Sequence, residues 1–341
     1  MMERIIHAWL PEAEQFSLTP VGSGLIHKTW KLELAGGKGY ILQAVNTAVF
    51  IDPEAIAGNL DKIGQWLAGH HPDYFFPAPL RTVAGPAFCY DTDGVFRLFP
   101  FVEGSRTYDT VASPEQAYEA ARQFGLFTRN LQGFEVGELR MTLPRFHDLA
   151  FRYDQFQRGA REGDAVRVRE SAELIGFLES RRGLVDTYLA IRADPAFRLR
   201  VTHHDTKISN VLFDRFDRGL CVIDLDTVMP GYFISDVGDM IRTYVSPASE
   251  EEEDLERVVV RREFYRAIES GYLEVMGDVL GAAERNHFFY AGLFLVYMQA
   301  LRFLADHLNR DAYYGARYEG HNYVRAANQA ELLRRLMEFG G

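Results

Sequence analysis

The chain has 341 residues, of which 47% are hydrophobic and 25% charged, and this balance is typical of a globular protein with room for two lobes. Its 37 basic and 48 acidic residues give a formal net charge of −11, which argues against a nucleic-acid partner because such a partner requires a basic face. The most apolar stretch, residues 288–298, is too short to cross a bilayer, so we expect a buried helix and no membrane partner.

The first hundred residues predict a small antiparallel sheet with one helix. Residues 30–34 alternate between apolar and polar side chains, and residues 40–45 follow a glycine-rich turn, which indicates a β-hairpin. Asp52 is placed to cap the helix, because apolar residues recur at helical spacing directly after it. Two further strands are expected at about residues 87–90 and 95–102, joined by a short turn.

The rest of the chain predicts a larger, mainly helical C-terminal lobe over residues 105–341, which follows an N-terminal lobe over residues 1–104. The run Ser113-Pro114-Glu115-Gln116 is expected to open the first long helix of this second lobe. The acidic run of residues 250–254 is interpreted as the solvated start of a later helix, because negative charge is favourable at a helix N-terminus. Further helices are expected at about residues 165–191, 254–276, 283–308 and 322–339.

A polar loop between two apolar runs interrupts the helices and carries the strongest chemical signal. Residues 201–213 predict a strand, a turn and a second strand, with Asp205 and Asn210 in the turn. Asp224 follows inside the apolar run 219–226, which predicts a compact strand, and an acid there is costly unless it is paired or binds a cation. These three oxygen-bearing side chains could converge on one site, and hard oxygen ligands suit Mg²⁺.

The spacing His-x-Asp-x-x-x-x-Asn, followed by Ile-Asp-x-Asp, resembles the catalytic core of the protein-kinase-like small-molecule kinases, which include aminoglycoside phosphotransferases and choline kinases. The resemblance implies an α+β, bilobal protein-kinase-like fold with ATP and Mg²⁺ as cofactors. It implies that Asp205 is the catalytic base, that Lys207 lies near the transferred phosphoryl group, and that Asn210 and Asp224 bind Mg²⁺. Asp226 is interpreted either as a second metal ligand or as a structural acceptor.

The same resemblance implies a nucleotide site in the N-terminal lobe. One strand departs from the kinase pattern, because Gln43 stands where kinases usually carry a lysine that pairs with a glutamate of the next helix. We expect Gln43 to pair with Asn59, with Glu54 as an alternative partner, and Lys207 or Lys28 to supply the missing charge. The residues expected to cover the phosphates are Gly22, Ser23 and Gly24, and those expected at the adenine are Pro100, Phe101 and Val102.

A more specific resemblance, to bacterial N-acetylhexosamine 1-kinases, spans most of the chain. It rests on residues 22–30, 40–46, 223–231 and 236–242, of which the third contains the run Asp-Thr-Val-Met-Pro-Gly. The resemblance implies transfer of phosphate from ATP to an N-acetylhexosamine-like sugar. Aspartates at positions 236 and 239, in the last stretch, are expected to brace the catalytic loop through hydrogen bonds.

The acceptor pocket is expected in the C-terminal lobe. The sugar-kinase resemblance implies that Arg302, Tyr313 and Tyr314 approach the acceptor and that His27 reaches it from the other lobe. Arg302 and Asp306 share a helix face, which also permits an internal ion pair. Two alternatives stay open, namely a choline, ethanolamine or aminoglycoside acceptor and a non-catalytic nucleotide-binding module, the latter because of Gln43.

Two cysteines bear on the compartment. Cys89 and Cys221 are far apart and lie in apolar runs, which predicts two buried thiols in a reducing cytoplasm rather than a disulfide. The sequence leaves the oligomeric state and the phosphorylated hydroxyl open.

Overall fold

The computed structural model describes residues 2–21 and 26–340, and these form two compact units that are each built from several chain segments. The predicted boundary after residue 104 lies next to the first junction, but the chain returns to the first unit twice. The predicted glycine segment, with Gly22, Ser23 and Gly24, lies outside the described residues. The first unit comprises Met1–Arg106, Gly133–Leu143 and Leu212–Pro230, and the second Thr107–Gln132, Pro144–Val211 and Gly231–Gly341.

A five-stranded antiparallel sheet forms the centre of the first unit, in the order β1-β2-β3-β5-β4. Because side chains alternate across a strand, one face of the sheet carries Leu32, Leu42 and Leu98, all fully buried. A short N-terminal helix, α1 (Met2–His7), packs Ile5 on this face, and its six residues are too few to show a helical period in the sequence. The strands are β1 (Phe16–Pro20), β2 (Lys28–Leu34), β3 (Gly39–Val45), β4 (Phe88–Asp91) and β5 (Gly94–Pro100).

Helix α2 (Pro53–His70) begins where the sequence predicts, because the Asp52 side chain accepts the backbone N–H of Ala55 at 3.0 Å. On its inner side, the Asn59 amide donates to the carbonyl oxygens of Arg140 at 2.9 Å and Val228 at 3.1 Å. The helix thereby holds both returning segments in the first unit. This engagement also makes the predicted pairing of Asn59 with Gln43 wrong.

Strands β7 (Val211–Phe213) and β8 (Gly219–Val222) pair with each other at the second return. The predicted strand over residues 219–226 ends early, at Val222, because Asp224 has a left-handed backbone conformation with φ of 59°. Aspartate tolerates this conformation better than most residues. Residues Leu225–Thr227 then form a single 3₁₀ turn.

The second unit is mainly helical, and its first helix, α3 (Pro114–Asn130), begins where the sequence predicts, with Ser113 as its cap. The predicted single helix over residues 165–191 is wrong, because the chain breaks into three helices there. The predicted start at residue 254 is also wrong, since that helix begins at Arg262. The elements after α3 are α4 (Leu149–Glu162), α5 (Ala165–Glu170), α6 (Ala172–Glu179), α7 (Gly183–Ala193), β6 (Arg200–Thr202), β9 (Met229–Gly231), α8 (Phe233–Tyr244), α9 (Arg262–Met276), α10 (Ala282–Asn286), α11 (Phe288–Leu308) and α12 (His321–Gly340).

Helix α11 is the central helix of the second unit. It is the one described helix that is long and apolar enough to cross a membrane, with a mean hydropathy of 1.5, but 78% of its apolar window is buried inside the protein. It packs against α4, α8 and α12. The prediction of a buried core helix over this stretch is therefore confirmed.

Candidate active site

The loop of residues 203–210 is held by two buried carboxylates of helix α8. The two carboxylate oxygens of Asp236 accept the backbone N–H groups of His203 at 3.0 Å and His204 at 2.7 Å. Asp239 accepts the N–H of Thr206 at 2.8 Å. Burial raises the pKa of Asp236 to about 6, against the lowering effect of these backbone donors. The predicted bracing by both aspartates is confirmed, and the loop backbone is fixed independently of any ligand.

Asp205 and Lys207 form an ion pair on this loop, with 3.1 Å between Nζ and Oδ1. Burial opposes ionisation of Asp205, but the positive charge of Lys207 beside it outweighs this effect, so the pKa of this carboxyl lies below its usual range. The Asn210 amide nitrogen donates to the Asp205 carbonyl oxygen at 2.8 Å, which leaves the amide oxygen as the atom able to bind a cation. The loop therefore presents an ionised carboxylate, an ammonium group and an amide oxygen.

The residue before Asp205 is conformationally strained and closely packed. His204 has a φ of 68°, which is uncommon for a residue other than glycine. Gly231 lies against it, and a Cβ there would come within 2.5 Å of His204 Nε2 and 2.3 Å of Thr202 Oγ1. The glycine that ends the Asp-Thr-Val-Met-Pro-Gly run is thus required by the narrow space beside Thr202 and His204.

We expect Gly231→Ala to slow turnover by about 10- to 100-fold, because the added methyl displaces His204 and with it Asp205. Overpacking should also cost about 1–3 kcal/mol of folding free energy. The matched control is Gly176→Ala on helix α6, where a Cβ meets no atom within 4 Å. Steady-state kinetics and thermal unfolding of both variants test this. Unchanged turnover in Gly231→Ala would show that the position of His204 is not critical.

The first unit holds a buried charge cluster around Asp226. The Arg97 guanidinium donates to both carboxylate oxygens of Asp226, with 2.9 Å from Nη2 to Oδ2, and each side chain is only 1% exposed. His27 Nε2 lies 2.7 Å from Oδ2, and His27 Nδ1 accepts the backbone N–H of Asn46 at 3.1 Å. Burial raises the pKa of Asp226, but Arg97 and His27 outweigh it and lower the pKa to about 2.

The charge cluster around Asp226 accounts for Gln43 at the position where kinases usually carry a lysine. Thr29, Gln43 and Arg97 are cross-strand neighbours on β2, β3 and β5. Gln43 donates to Thr29 Oγ1 at 3.1 Å and accepts from Arg97 Nε at 3.0 Å, so neither predicted partner of Gln43 is the observed one. Glu54 instead accepts a hydrogen bond from Tyr90. The positive charge of this sheet face therefore lies one strand away, on Arg97.

The hydrogen bonds of Asp226 favour the structural alternative for this residue, because both of its oxygens already accept from Arg97 or His27. Asp224, by contrast, is exposed and begins the 3₁₀ turn. Potential ligand atoms of His27, Asp224 and Asp226 lie within 4.8 Å of one another, so Asp224 is the member best placed to receive a cation. That His27 contacts the acceptor stays a prediction, with both ring nitrogens engaged inside the unit.

Only the end of the acidic run 250–254 is a solvated helix start, because Asp254 is exposed and caps the 3₁₀ turn Leu255–Arg257, whereas Glu250 is engaged by arginines. The Glu250 carboxylate pairs with Arg325 and with Arg242, the latter at 2.8 Å, and Arg242 in turn pairs with Asp239 at 2.9 Å. Burial opposes ionisation of Glu250, but the two arginines outweigh it and lower its pKa to about 2. A chain of charges thus links residue 250 to the carboxylate that holds Thr206.

Glu250→Gln should change the dependence of stability on pH. The pKa of Glu250 falls from 4.5 to about 2 on folding, so its stabilising contribution is full above pH 4.5 and is lost as the pH falls towards 2. We expect the variant to be about 1.5–3 kcal/mol less stable at neutral pH, with the difference vanishing near pH 2. Urea unfolding across pH measures it, with the exposed Glu338→Gln as control. A constant difference would contradict the coupling.

The predicted acceptor residues of helix α11 and the loop after it line a cleft of about 350 Å³ within the second unit. Arg302 lies over the rings of Phe146 and Tyr314 at 5.3 and 5.5 Å, whereas Tyr313 is 70% exposed. Asp306 makes no ion pair with Arg302 and instead accepts the backbone N–H groups of Tyr313 and Tyr314 at 2.7 and 2.9 Å. A further lining residue, Arg152, was not predicted, because nothing in the sequence near it marks a site.

The predicted adenine segment follows β5. The N–H of Phe101 donates to the Gly39 carbonyl oxygen at 3.2 Å, and the Val102 carbonyl oxygen accepts from Ser105 N–H at 3.2 Å. Pro100 is the last residue of β5 and pairs with Tyr40. The three residues are partly exposed, and their role at the nucleotide stays a prediction.

Solved kinases share this fold over nearly the whole chain, at identities that bear on the fold alone. The first is a microcompartment-associated aminopropanol kinase, with 18% identity, a TM-score of 0.65 and coverage of 100% of this chain and 98% of that one. The second is an aminoglycoside phosphotransferase from Alicyclobacillus acidocaldarius, with 14% identity, a TM-score of 0.63 and coverage of 99% of this chain and 95% of that one. The third is an amicoumacin kinase in complex with AMP-PNP, Ca²⁺ and Ami. It has 13% identity, a TM-score of 0.63 and coverage of 98% of this chain and 93% of that one.

These likenesses confirm the bilobal protein-kinase-like fold class, with an antiparallel sheet in one part and helices in the other. With its braced Asp205 loop, the protein is a small-molecule kinase, an enzyme that transfers phosphoryl groups. The model of the phosphotransferase enzyme family, APH, matches residues 17–277, and the chain belongs to this family.

Proposed function

We propose that the enzyme transfers the γ-phosphoryl group of ATP to a hydroxyl group of a small, sugar-like acceptor, with an N-acetylhexosamine-like sugar as the first candidate. The observation that carries the proposal is the Asp205–Lys207 pair on a loop whose backbone is fixed by Asp236 and Asp239. A rigid carboxylate beside a cation suits phosphoryl transfer, which depends on positioning and on neutralising charge.

Each charged group of the loop has a distinct role in this proposal. Asp205 accepts the hydrogen bond of the acceptor hydroxyl and takes its proton, since its lowered pKa keeps it ionised at neutral pH. Lys207 can exchange its contact with Asp205 for the oxygens of the transferred group, where its charge offsets the charge that develops. His203 braces the loop, because its Nδ1 accepts the backbone N–H of Asp205 at 3.3 Å.

The donor set fits Mg²⁺, which prefers carboxylate and amide oxygens. From the family pattern we propose Asp224 and Asn210 as the metal ligands. Within the first unit Asp226 is engaged by Arg97 and His27, and within the second the Asn210 amide nitrogen is anchored. When bound, the metal would neutralise phosphate charge. The complex of the amicoumacin kinase with AMP-PNP, an ATP analogue, and a divalent cation supports this pairing of cofactors.

The remaining nucleotide contacts are proposed from the family pattern. Gly22, Ser23 and Gly24 would cover the phosphates, and residues 100–102 would bind the adenine. We also propose a cytoplasmic location, which the two free cysteines support: Cys221 is buried and Cys89 is partly so.

A second candidate function keeps the chemistry and changes the acceptor to an amino alcohol or an aminoglycoside. The similarity in fold to an aminopropanol kinase and to an aminoglycoside phosphotransferase favours it. The two arginines of the acceptor cleft disfavour it, because a cationic acceptor needs acidic or aromatic walls. The sugar-like acceptor is therefore placed first.

The test is Mg²⁺-dependent ATP consumption by the purified protein over matched panels of N-acetylhexosamines, other sugars, amino alcohols and aminoglycosides. We expect turnover with a sugar at least tenfold more efficient than with any amine. Turnover with amines alone would establish the second candidate. Binding of Mg²⁺-ATP without turnover of any acceptor would favour a non-catalytic nucleotide-binding module.

A further inference from the structure

The acceptor cleft is lined by two arginines, Arg152 and Arg302. Arg152 on α4 is 9% exposed, and its Nη1 and Nη2 donate to the Gln155 side chain at 2.9 Å and to the Phe146 carbonyl oxygen at 3.4 Å. Arg302 Nη1 donates to the Gln299 side chain at 3.1 Å. Within residues 2–21 and 26–340, neither guanidinium forms an ion pair with a carboxylate, and the buried Nε atom of each has no hydrogen-bond partner.

The two guanidinium groups converge on the same feature, Phe146. Arg302 lies over its ring at 5.3 Å, and Arg152 contacts its carbonyl oxygen. Burial, and then repulsion by Arg302, lower the pKa of Arg152 to about 10, so it is still charged at neutral pH. A buried and a partly buried guanidinium that form no ion pair with a carboxylate of the described residues are costly, and an anion bound between them would relieve that cost.

The acid that lines the same cleft makes its hydrogen bonds to other groups. Asp306 lines the same cleft, but its oxygens accept the backbone N–H groups of Tyr313 and Tyr314 and, at 3.1 Å, the side-chain amide of Asn322. It shapes the loop that carries the tyrosines. The cleft therefore keeps a net positive charge from Arg152 and Arg302.

A series of aromatic ring contacts inside the second unit connects the cleft to the loop of residues 203–210. Phe146 stacks on His147 at 4.5 Å, and the His147 ring lies 5.2 Å from the ring of His204, the neighbour of Asp205 in the chain. Burial, followed by the surrounding positive groups, lowers the pKa of His147 far below its ordinary value, so this link is neutral. An acceptor anchored at the arginines would thus lie close to the loop that carries Asp205.

We infer that the acceptor carries an oxyanionic group, a carboxylate or a phosphate ester, which binds between Arg152 and Arg302. The inference rests on the proposed function and narrows its sugar-like acceptors to those that carry an acidic group, such as a uronate or an N-acetylhexosamine phosphate. Guanidinium groups suit such a ligand because their N–H donors match the geometry of carboxylate and phosphate oxygens. Arg152 has the role of a specificity-determining residue, because it is the more buried of the two.

The experiment compares matched neutral and anionic probes, namely glucose with glucuronate, and N-acetylglucosamine with its phosphate monoester. Equilibrium binding is measured by calorimetry and transfer by ATP consumption. We expect at least one anionic probe to bind 10-fold or more tightly than its neutral partner, with the difference reduced by salt. The two pairs distinguish a carboxylate from a phosphate ester.

Arg152→Gln should weaken the anionic probe by about 10- to 100-fold and leave its neutral partner within about twofold. The matched control is Arg158→Gln, an exposed position on the same helix that undergoes the same change of charge. A purely structural role of Arg152 would weaken both probes of a pair equally and would overturn the inference.

Absence of tighter binding by either anionic probe would also overturn it. The outcomes separate this inference from the proposed function. Turnover of neutral sugars without anion preference would leave the kinase proposal intact and remove the anion site. Arg152-dependent anion binding without ATP consumption would leave the anion site and remove the kinase proposal.

Discussion

Asp205→Asn is expected to lower phosphoryl transfer by about 10²- to 10⁴-fold while leaving Mg²⁺-ATP binding within about twofold. The amide cannot take the proton of the acceptor hydroxyl, although it keeps the size of the carboxylate. The loop should keep its position, because its backbone is held by Asp236 and Asp239 and not by the Asp205 side chain. Single-turnover kinetics and nucleotide calorimetry measure the two effects separately.

Asp186→Asn on helix α7 is the matched control, because it makes the same chemical change in a 57% exposed side chain. It should be indistinguishable from the unmodified enzyme. A fully active Asp205→Asn variant would falsify the assignment of the base. A variant that also lost nucleotide binding would show that the Asp205–Lys207 pair organises the nucleotide site as well.

Arg97→Met is expected to destabilise the first unit by about 3–5 kcal/mol, because it leaves Asp226 buried and largely unpaired. Such a loss is a large fraction of the stability of an ordinary protein. Removing both charges, in Arg97→Met/Asp226→Leu, should recover a large part of the loss, since an apolar pair has no charge to desolvate. Hydrogen exchange of the backbone in β3 and β5 reports on this unit directly.

The control for Arg97 is Arg81→Met in the same unit. Arg81 pairs with Asp61 at 2.9 Å, but both side chains are well exposed, at 56% and 40%, so the expected loss is below about 1 kcal/mol. Equal effects of Arg97→Met and Arg81→Met would contradict a stabilising role of the buried pair. A double variant no more stable than Arg97→Met would show that lost packing, and not the unpaired carboxylate, causes the destabilisation.

Local sequence signals predicted the helices whose first residues include a capping side chain. Asp52 and Ser113 begin their helices as expected, because a capping side chain bonds to the backbone three residues away. Helix α1 and the breaks among α5, α6 and α7 were missed, since helices of six to eleven residues show little periodicity. The strand predicted to run to residue 226 ended early because one residue, Asp224, has a left-handed conformation.

Some residues of the candidate site were also predicted from the sequence, whereas others were identified only from the structure. The order of Asp205, Lys207, Asn210 and Asp224 was readable in the sequence, because it resembles the motif order of the protein-kinase-like small-molecule kinases. The sequence did not show that Arg97 supplies the positive charge that Gln43 lacks. Arg97 lies 54 residues away and meets Gln43 only through the pairing of β3 with β5. Asp226 was ambiguous until the structure brought His27, 199 residues distant in the chain, onto its carboxylate.

By itself, the sequence determined the class of fold and the chemistry of the loop, since both follow from patterns within a few residues. The tertiary structure alone decided which charges are paired. It engaged Glu250 with Arg242 and Arg325, and it left Arg152 beside Arg302 without an acidic partner among the described residues. The physical reason is that the energy of a charge depends on its burial and on its neighbours in space, and neither is a property of the local sequence.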